Sequence, residues 1–119
     1  MIRKIEISGV HMDVGDDLQK YAIKKLGSLD KYIPRLARAS AHLEVKLKET
    51  KSKDKNERTC EILLHLPKDN LAITETTVSI YAAIDIAEQK LKLQLHKYKE
   101  LHSEPKLRQR IVSSFKHSA

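Results

Sequence analysis

The sequence predicts an α+β fold: a two-layer sandwich in which a four-stranded mixed sheet carries two helices on one face, in the order β-α-β-β-β-α. Three observations carry that expectation. Four segments are strand-like, three of them with plain period-two alternation, and two others switch to helical spacing. The first strand is followed by a helix before the next strand, which prescribes a parallel crossover, whereas the later strands follow one another through short connections and so form an antiparallel meander. At 119 residues the chain holds one core.

The first strand is "KIEISG", with Ile5 and Ile7 facing in and Lys4, Glu6 and Ser8 facing out. From Gly15 onward Leu18, Ala22, Leu26, Leu29 and Ile33 keep helical spacing until Pro34 closes the run, and Asp16 and Asp17 occupy the first turn, where the helix dipole favours negative charge. "SAHLEVKLKE" returns to period two, with Ala41, Leu43, Val45 and Leu47 on one face and His42, Glu44, Lys46 and Lys48 on the other. "TCEILLHL" aligns Cys60, Ile62, Leu64 and Leu66, and Glu49 to Glu57 between these strands is polar enough to read as a mobile hairpin loop. "PKDN" turns the chain into "LAITET", and Thr77 or Ser79 caps the last helix. There Ile80, Ile84, Ala87, Leu91, Leu95 and Tyr98 fall within one arc, the pattern of a helix lying on a core.

The charged residues narrow the function. The chain carries a formal net charge of +7, with 33% charged and 4% aromatic residues and no Trp, so its core is aliphatic and its surface favours a polyanion. On the last helix Lys90 and Lys97 flank the apolar stripe on one side and Lys92 and Lys99 on the other. On the first, Lys20, Lys24 and Lys31 share an arc opposite the core, so both helices are expected to present lysine rows on the same broad side. Residues 88–110 hold seven Lys or Arg against three Glu, placing much of the excess toward the C-terminal end. Phosphate neutralisation by such rows supplies affinity through counterion release and needs no exact geometry. No apolar run approaches the ~20 residues of a membrane span, and "MIRKIEISGV" lacks a signal-peptide core, so a cytoplasmic protein with no membrane partner is expected.

Other chemistries find little support. Cys60, the lone cysteine, sits in an alternating apolar segment and reads as a small buried hydrophobe. The six histidines show no metal-ligand spacing, the three glycines are not grouped as a phosphate loop, and Asp13, Asp16 and Asp17 read as dipole partners at a helix start. Tyr81 is positioned either to stack on a base or to flank the core. Neither an enzyme nor a bound cofactor or metal is expected.

"YAAID" followed by "KLKLQLHKYK", with "ISGVHMDVGDDLQKYAIKKLGSLDKYI" near the other end, resembles the ribosome hibernation promoting factor and ribosome-associated inhibitor (protein Y) family of bacteria over roughly residues 2–102. The resemblance implies the element order inferred above and binding to the small ribosomal subunit of the intact ribosome at its decoding region, blocking messenger and transfer RNA in stationary or stressed cells. It places Tyr81, Asp85, Lys90, Gln94, Leu95, Lys97 and Lys99 at the family's "YxAID...KLxRQLxKxK" positions and Lys25 at the basic position of the first helix. Together, resemblance and charge pattern nominate Lys20, Lys24, Lys25, Lys31, Tyr81, Lys90, Lys92, Lys97 and Lys99 for rRNA contact. Leu93 stands where the family usually has arginine, which puts one RNA contact in doubt.

The expected organisation is a ribosome-binding domain over residues 1–104 and a flexible basic tail over 105–119, dispensable for folding, which resembles a short form of the family. The basic tail points to the type that promotes ribosome dimers with a separate small ribosome-dimerising factor; off the ribosome a monomer is expected. Two other readings stay open at the level of sequence: a general double-stranded RNA-binding domain, and a protein-binding modulator of transcription whose lysines meet an acidic surface.

Overall fold

Period-two alternation and helical spacing both become elements of the computed structural model, which describes residues 2–52, 54 and 56–101. The order is β1 (Lys4–Val10), α1 (Asp16–Gly27), a 3-10 helix (Ser28–Tyr32), the short α2 (Arg35–Arg38), β2 (His42–Lys51), β3 (Asn56–Leu66), β4 (Asp69–Thr77) and α3 (Ile80–Leu101). The strands lie side by side in chain order, β1 parallel to β2 and the other neighbours antiparallel.

One face of the sheet holds Leu43, Val45 and Leu47 of β2, Cys60, Ile62 and Leu64 of β3, and Leu71 and Ile73 of β4, all buried. Helix α3 lays Ala83, Ile84, Ala87, Leu91 and Leu95 on that face, each with no exposed surface, and α1 adds Leu18, Ala22 and Leu26. The edge strand β1 contributes Ile5 and Ile7, which stay half-buried because no further strand or helix covers its outer side. The other face of the sheet is left to solvent, giving the expected two layers. Cys60 is fully buried and its thiol is pushed up to about 12 by loss of hydration, so it behaves as a small apolar side chain.

Three local features depart from the sequence expectation. The helical run expected to reach Ile33 stops as an α-helix at Gly27 and tightens into the 3-10 turn, where the Ser28 hydroxyl donates to the Lys25 carbonyl at 3.1 Å. Gly27 is a poor helix former, and its carbonyl accepts from the Ile2 amide at 3.0 Å, so the chain turns there while Leu29 and Ile33 remain buried. Pro34 then starts a second, unforeseen helix, α2, whose Arg38 Nε donates to the Ile33 carbonyl at 3.0 Å. The hairpin loop expected over Glu49–Glu57 contracts to the residues between Lys51 and Asn56, because the ladder continues through Glu49↔Arg58, Thr50↔Glu57 and Lys51↔Asn56. Side chains too polar for a core pair with one another instead: Glu49 meets Lys51 at 3.0 Å and Arg58 at 3.2 Å.

The remaining turns follow their residue types. Pro67 and Lys68 join β3 to β4, with Lys68 at φ 71° in the second corner, as a type II turn with proline first requires. Ser79 is the residue that caps α3, its hydroxyl accepting from the Ala82 amide at 3.5 Å. Tyr98 anchors the far end, donating its hydroxyl to the Pro67 carbonyl at 2.6 Å. After β1 the chain folds back so closely that a Cβ on Gly9 would lie 2.3 Å from the Met12 carbonyl oxygen. Gly9→Ala should therefore cost about 1 to 3 kcal/mol, read as a lower urea midpoint at unchanged m-value. The tail expected over residues 105–119 lies outside the described residues, as does the end of the domain expected at residue 104.

Candidate nucleic-acid interface

The helical layer turns its uncovered side to solvent, and the seam between α1 with its 3-10 extension and α3 gathers four of the nine nominated residues: Lys25, Lys31, Tyr81 and Lys92. Its floor is aromatic. The Tyr21 and Tyr81 rings meet edge to face at 4.9 Å and 73°, and the Tyr21 hydroxyl donates to Asp85 Oδ1 at 2.5 Å. That hydrogen bond is the main reason the Tyr21 phenol is pushed up to about 12. Lys25 Nζ sits 3.9 Å from the same carboxylate and 5.7 Å from the Tyr21 ring, so Asp85 ties the two helices together through both groups.

Further along the seam, Lys31 of the 3-10 helix and Lys92 of α3 bring their ammonium groups over the Tyr32 ring, at 5.3 Å and 4.8 Å from its centroid. Lys92, followed by Lys31, draws the Tyr32 phenol below its ordinary range. His96 of α3 packs against the same ring at 5.5 Å. Two cations held beside one aromatic ring make a platform for an anionic, stackable ligand, which is how RNA presents itself.

The nominated residues do not all share this seam. Lys20 and Lys24 are exposed on α1, opposite the buried Leu18, Ala22 and Leu26, and Lys99 is exposed one heptad beyond Lys92 on the same flank of α3. Lys90 and Lys97 lie on the opposite flank, toward the β4 edge, so the lysines expected on one broad side divide between two. Lys90 is ion-paired with Glu75 of β4, a largely covered carboxylate, and Lys97 borders the Asp69 and Leu71 end of that strand. The pair holds α3 on the sheet, which gives Lys90 a structural task of its own. Tyr81 is 42% exposed, its edge on Tyr21 and its remaining surface open.

Sequence reasoning missed the aromatic partners. Tyr21 and Tyr32 carry no pattern by themselves; Lys25 and Lys31 are their near neighbours in the chain, but only the docking of α3 brings Tyr81 and Asp85 to Tyr21, and Lys92 and His96 to Tyr32. Leu93, 64% exposed on the outward side of α3, offers no cation where the pattern would place one. The histidines looked unrelated in the sequence, yet the β2–β3 register sets His42 opposite His65 on the outer face of the sheet. Among the described residues no helix is long and apolar enough to cross a membrane.

Comparison with known proteins places these features in a family. The sequence profile described as "Sigma 54 modulation protein / S30EA ribosomal protein" matches residues 5–103. The chain is similar to a ribosome hibernation promotion factor of Lactococcus lactis, 30% identical over 81% of this chain and 49% of the relative. A ribosome hibernation promotion factor of Staphylococcus aureus is 31% identical over 83% of this chain and 49% of that protein, so the chain spans about half the length of the curated relatives it matches. Among solved structures, the N-terminal domain of Thermus thermophilus Protein Y superposes with a TM-score of 0.63 at 29% identity, covering 82% of this chain and 97% of that one. A ribosomal subunit interface protein from Coxiella burnetii shares the fold, with a TM-score of 0.66 at 22% identity over 81% of this chain and 97% of that one.

Proposed function

Because this chain belongs to the sigma 54 modulation protein / S30EA ribosomal protein family, we propose that it is a ribosome hibernation protein, which binds small-subunit rRNA and halts translation by occupying the decoding region. It is a binding protein and not an enzyme. The observation that carries the reading is the pair Lys31 and Lys92 bracketing Tyr32, continued along the seam by Lys25 and outward by Lys20, Lys24 and Lys99. These cations stand on one side of a rigid two-helix layer, so they can meet several phosphates of a folded RNA without reordering the chain. A protein seated there would exclude messenger and transfer RNA by volume alone, with no bond made or broken. The intact ribosome in the cytoplasm is the partner, and a small ribosome-dimerising factor is a second one.

Co-sedimentation with ribosomes over a salt series tests this directly. Each phosphate neutralised contributes about −0.9 to the slope of log affinity against log salt on a duplex, and about −0.7 on a single strand. Engagement of the three seam lysines with Lys20, Lys24 and Lys99 should give a slope between about −4 and −5.5, and transfer RNA should compete. A flat response would remove the RNA reading and favour an apolar protein contact. Equal affinity for any RNA duplex would favour a general double-stranded RNA binder.

A further inference from the structure

The outer face of the sheet, on the far side of the core from the lysines, carries an arrangement that the ribosome reading does not use. The parallel β1–β2 register sets Glu6 beside Glu44, and the alternation of β2 puts His42 two residues before Glu44 on the same face. The antiparallel β2–β3 register then brings His65 opposite His42, with the rings 5.3 Å apart. One donor atom each from Glu6, His42 and Glu44 can be chosen so that all lie within 4.8 Å of one another.

The state of His42 is what makes this more than a polar surface. Its Nε2 is buried and has no hydrogen-bond partner, the one side-chain nitrogen or oxygen so placed among the described residues. The nearest carboxylate oxygen, Glu6 Oε1, stands at 3.5 Å, too far for a well-formed hydrogen bond. In a tetrahedral zinc site with ligands at about 2.0 to 2.1 Å, neighbouring donor atoms are separated by about 3.3 Å. The gap between Glu6 and His42 is therefore that of two donors facing one ion. Glu44 is prepared in the same sense: His65 Nε2 lies 2.7 Å from Glu44 Oε2, and this contact orients the carboxylate on the face it shares with His42. A hydrogen-bonded neighbour that fixes a ligating carboxylate is the usual support of a protein metal site.

We propose that His42 Nε2 and the carboxylates of Glu6 and Glu44 form a divalent transition-metal site of the zinc class, completed by water and supported by His65. One imidazole with two carboxylates suits zinc or cobalt, and two negative ligands balance the charge of the ion. Calcium and magnesium, which take oxygen ligands, would find too few here. Bound metal would clamp the edge strand β1 to β2 on the face that the helices leave bare.

Titration of the full chain with Co2+, followed by its visible absorption, tests the site without reference to ribosome binding. The expected result is a single saturable band system at one ion per chain, displaced by Zn2+. His42→Ala should abolish it while the far-ultraviolet circular dichroism is unchanged. His65→Ala, which removes only the support of Glu44, should raise the Kd by about 10- to 100-fold. If His42→Ala fails to fold, Glu6→Gln decides, since that side chain is 70% exposed and its substitution spares the core; its Kd should rise by at least tenfold. Absence of a saturable one-to-one signal in the folded wild-type chain, or an unchanged Kd in the folded His42→Ala or Glu6→Gln variant, would overturn the proposal.

Discussion

Replacing Lys31, Lys92 and Lys99 together by Gln should leave a folded protein that no longer holds the ribosome at physiological salt. At ~0.1 M salt a slope of about 0.9 per phosphate corresponds to roughly eightfold in affinity, so three lost contacts weaken binding by about two to three orders of magnitude. Stability should move far less. All three side chains carry their charge at the surface, and the two ammonium groups near Tyr32 contribute only about 0.5 to 1 kcal/mol each at such exposed positions. The choice of lysines matters: Lys90 is left in place because its removal would strand Glu75, whose side chain is only 15% exposed. Sucrose-gradient sedimentation with ribosomes, paired with a urea melt, separates the two effects. Wild-type binding by the folded triple variant would mean that these lysines are solvated surface.

Leu91→Ala should do the reverse, removing stability first and ribosome binding only as a consequence. Leu91 is wholly buried on the face of α3 that meets the sheet. Its truncation deletes the transfer energy of the lost atoms and leaves a cavity, together about 2 to 5 kcal/mol, against a total of about 5 to 15 kcal/mol for a small domain. The measurement is the urea midpoint, with ribosome binding assayed well below it. A Leu91→Ala chain that is fully folded yet unable to bind would place Leu91 in the interface and contradict the packing described here.

Taken together, the two substitutions separate the two sides of α3, and the sequence foretold them unequally. The core side was plain, because period-two and helical spacing are repeated over long segments: Leu43, Val45 and Leu47, then Ile84, Ala87, Leu91 and Leu95, are buried where the pattern puts them. Short features resisted. A glycine at the end of α1 and the four-residue α2 leave almost no periodic signal, and the extension of the β2–β3 hairpin rests on ion pairs of Glu49 rather than on apolar alternation. The binding side was half apparent. Lysine spacing along one helix can be counted, but which flank faces α1 and which faces β4 depends on how the layers dock. That docking assigns Lys92 to Tyr32 and Lys90 to Glu75. The meeting of Glu6, His42, Glu44 and His65 lay further out of reach, because it depends on the registers of two strand pairs at once.

The most direct test of the account is a cryo-electron microscopy map of this chain bound to the ribosome, at a resolution that shows side chains. The chain should sit at the decoding region of the small subunit, with the α1–α3 side against rRNA, the ammonium groups of Lys31 and Lys92 within contact distance of phosphates, and the outer face of the sheet directed away. A chain bound through its sheet face, with the α1–α3 seam open to solvent, would contradict it.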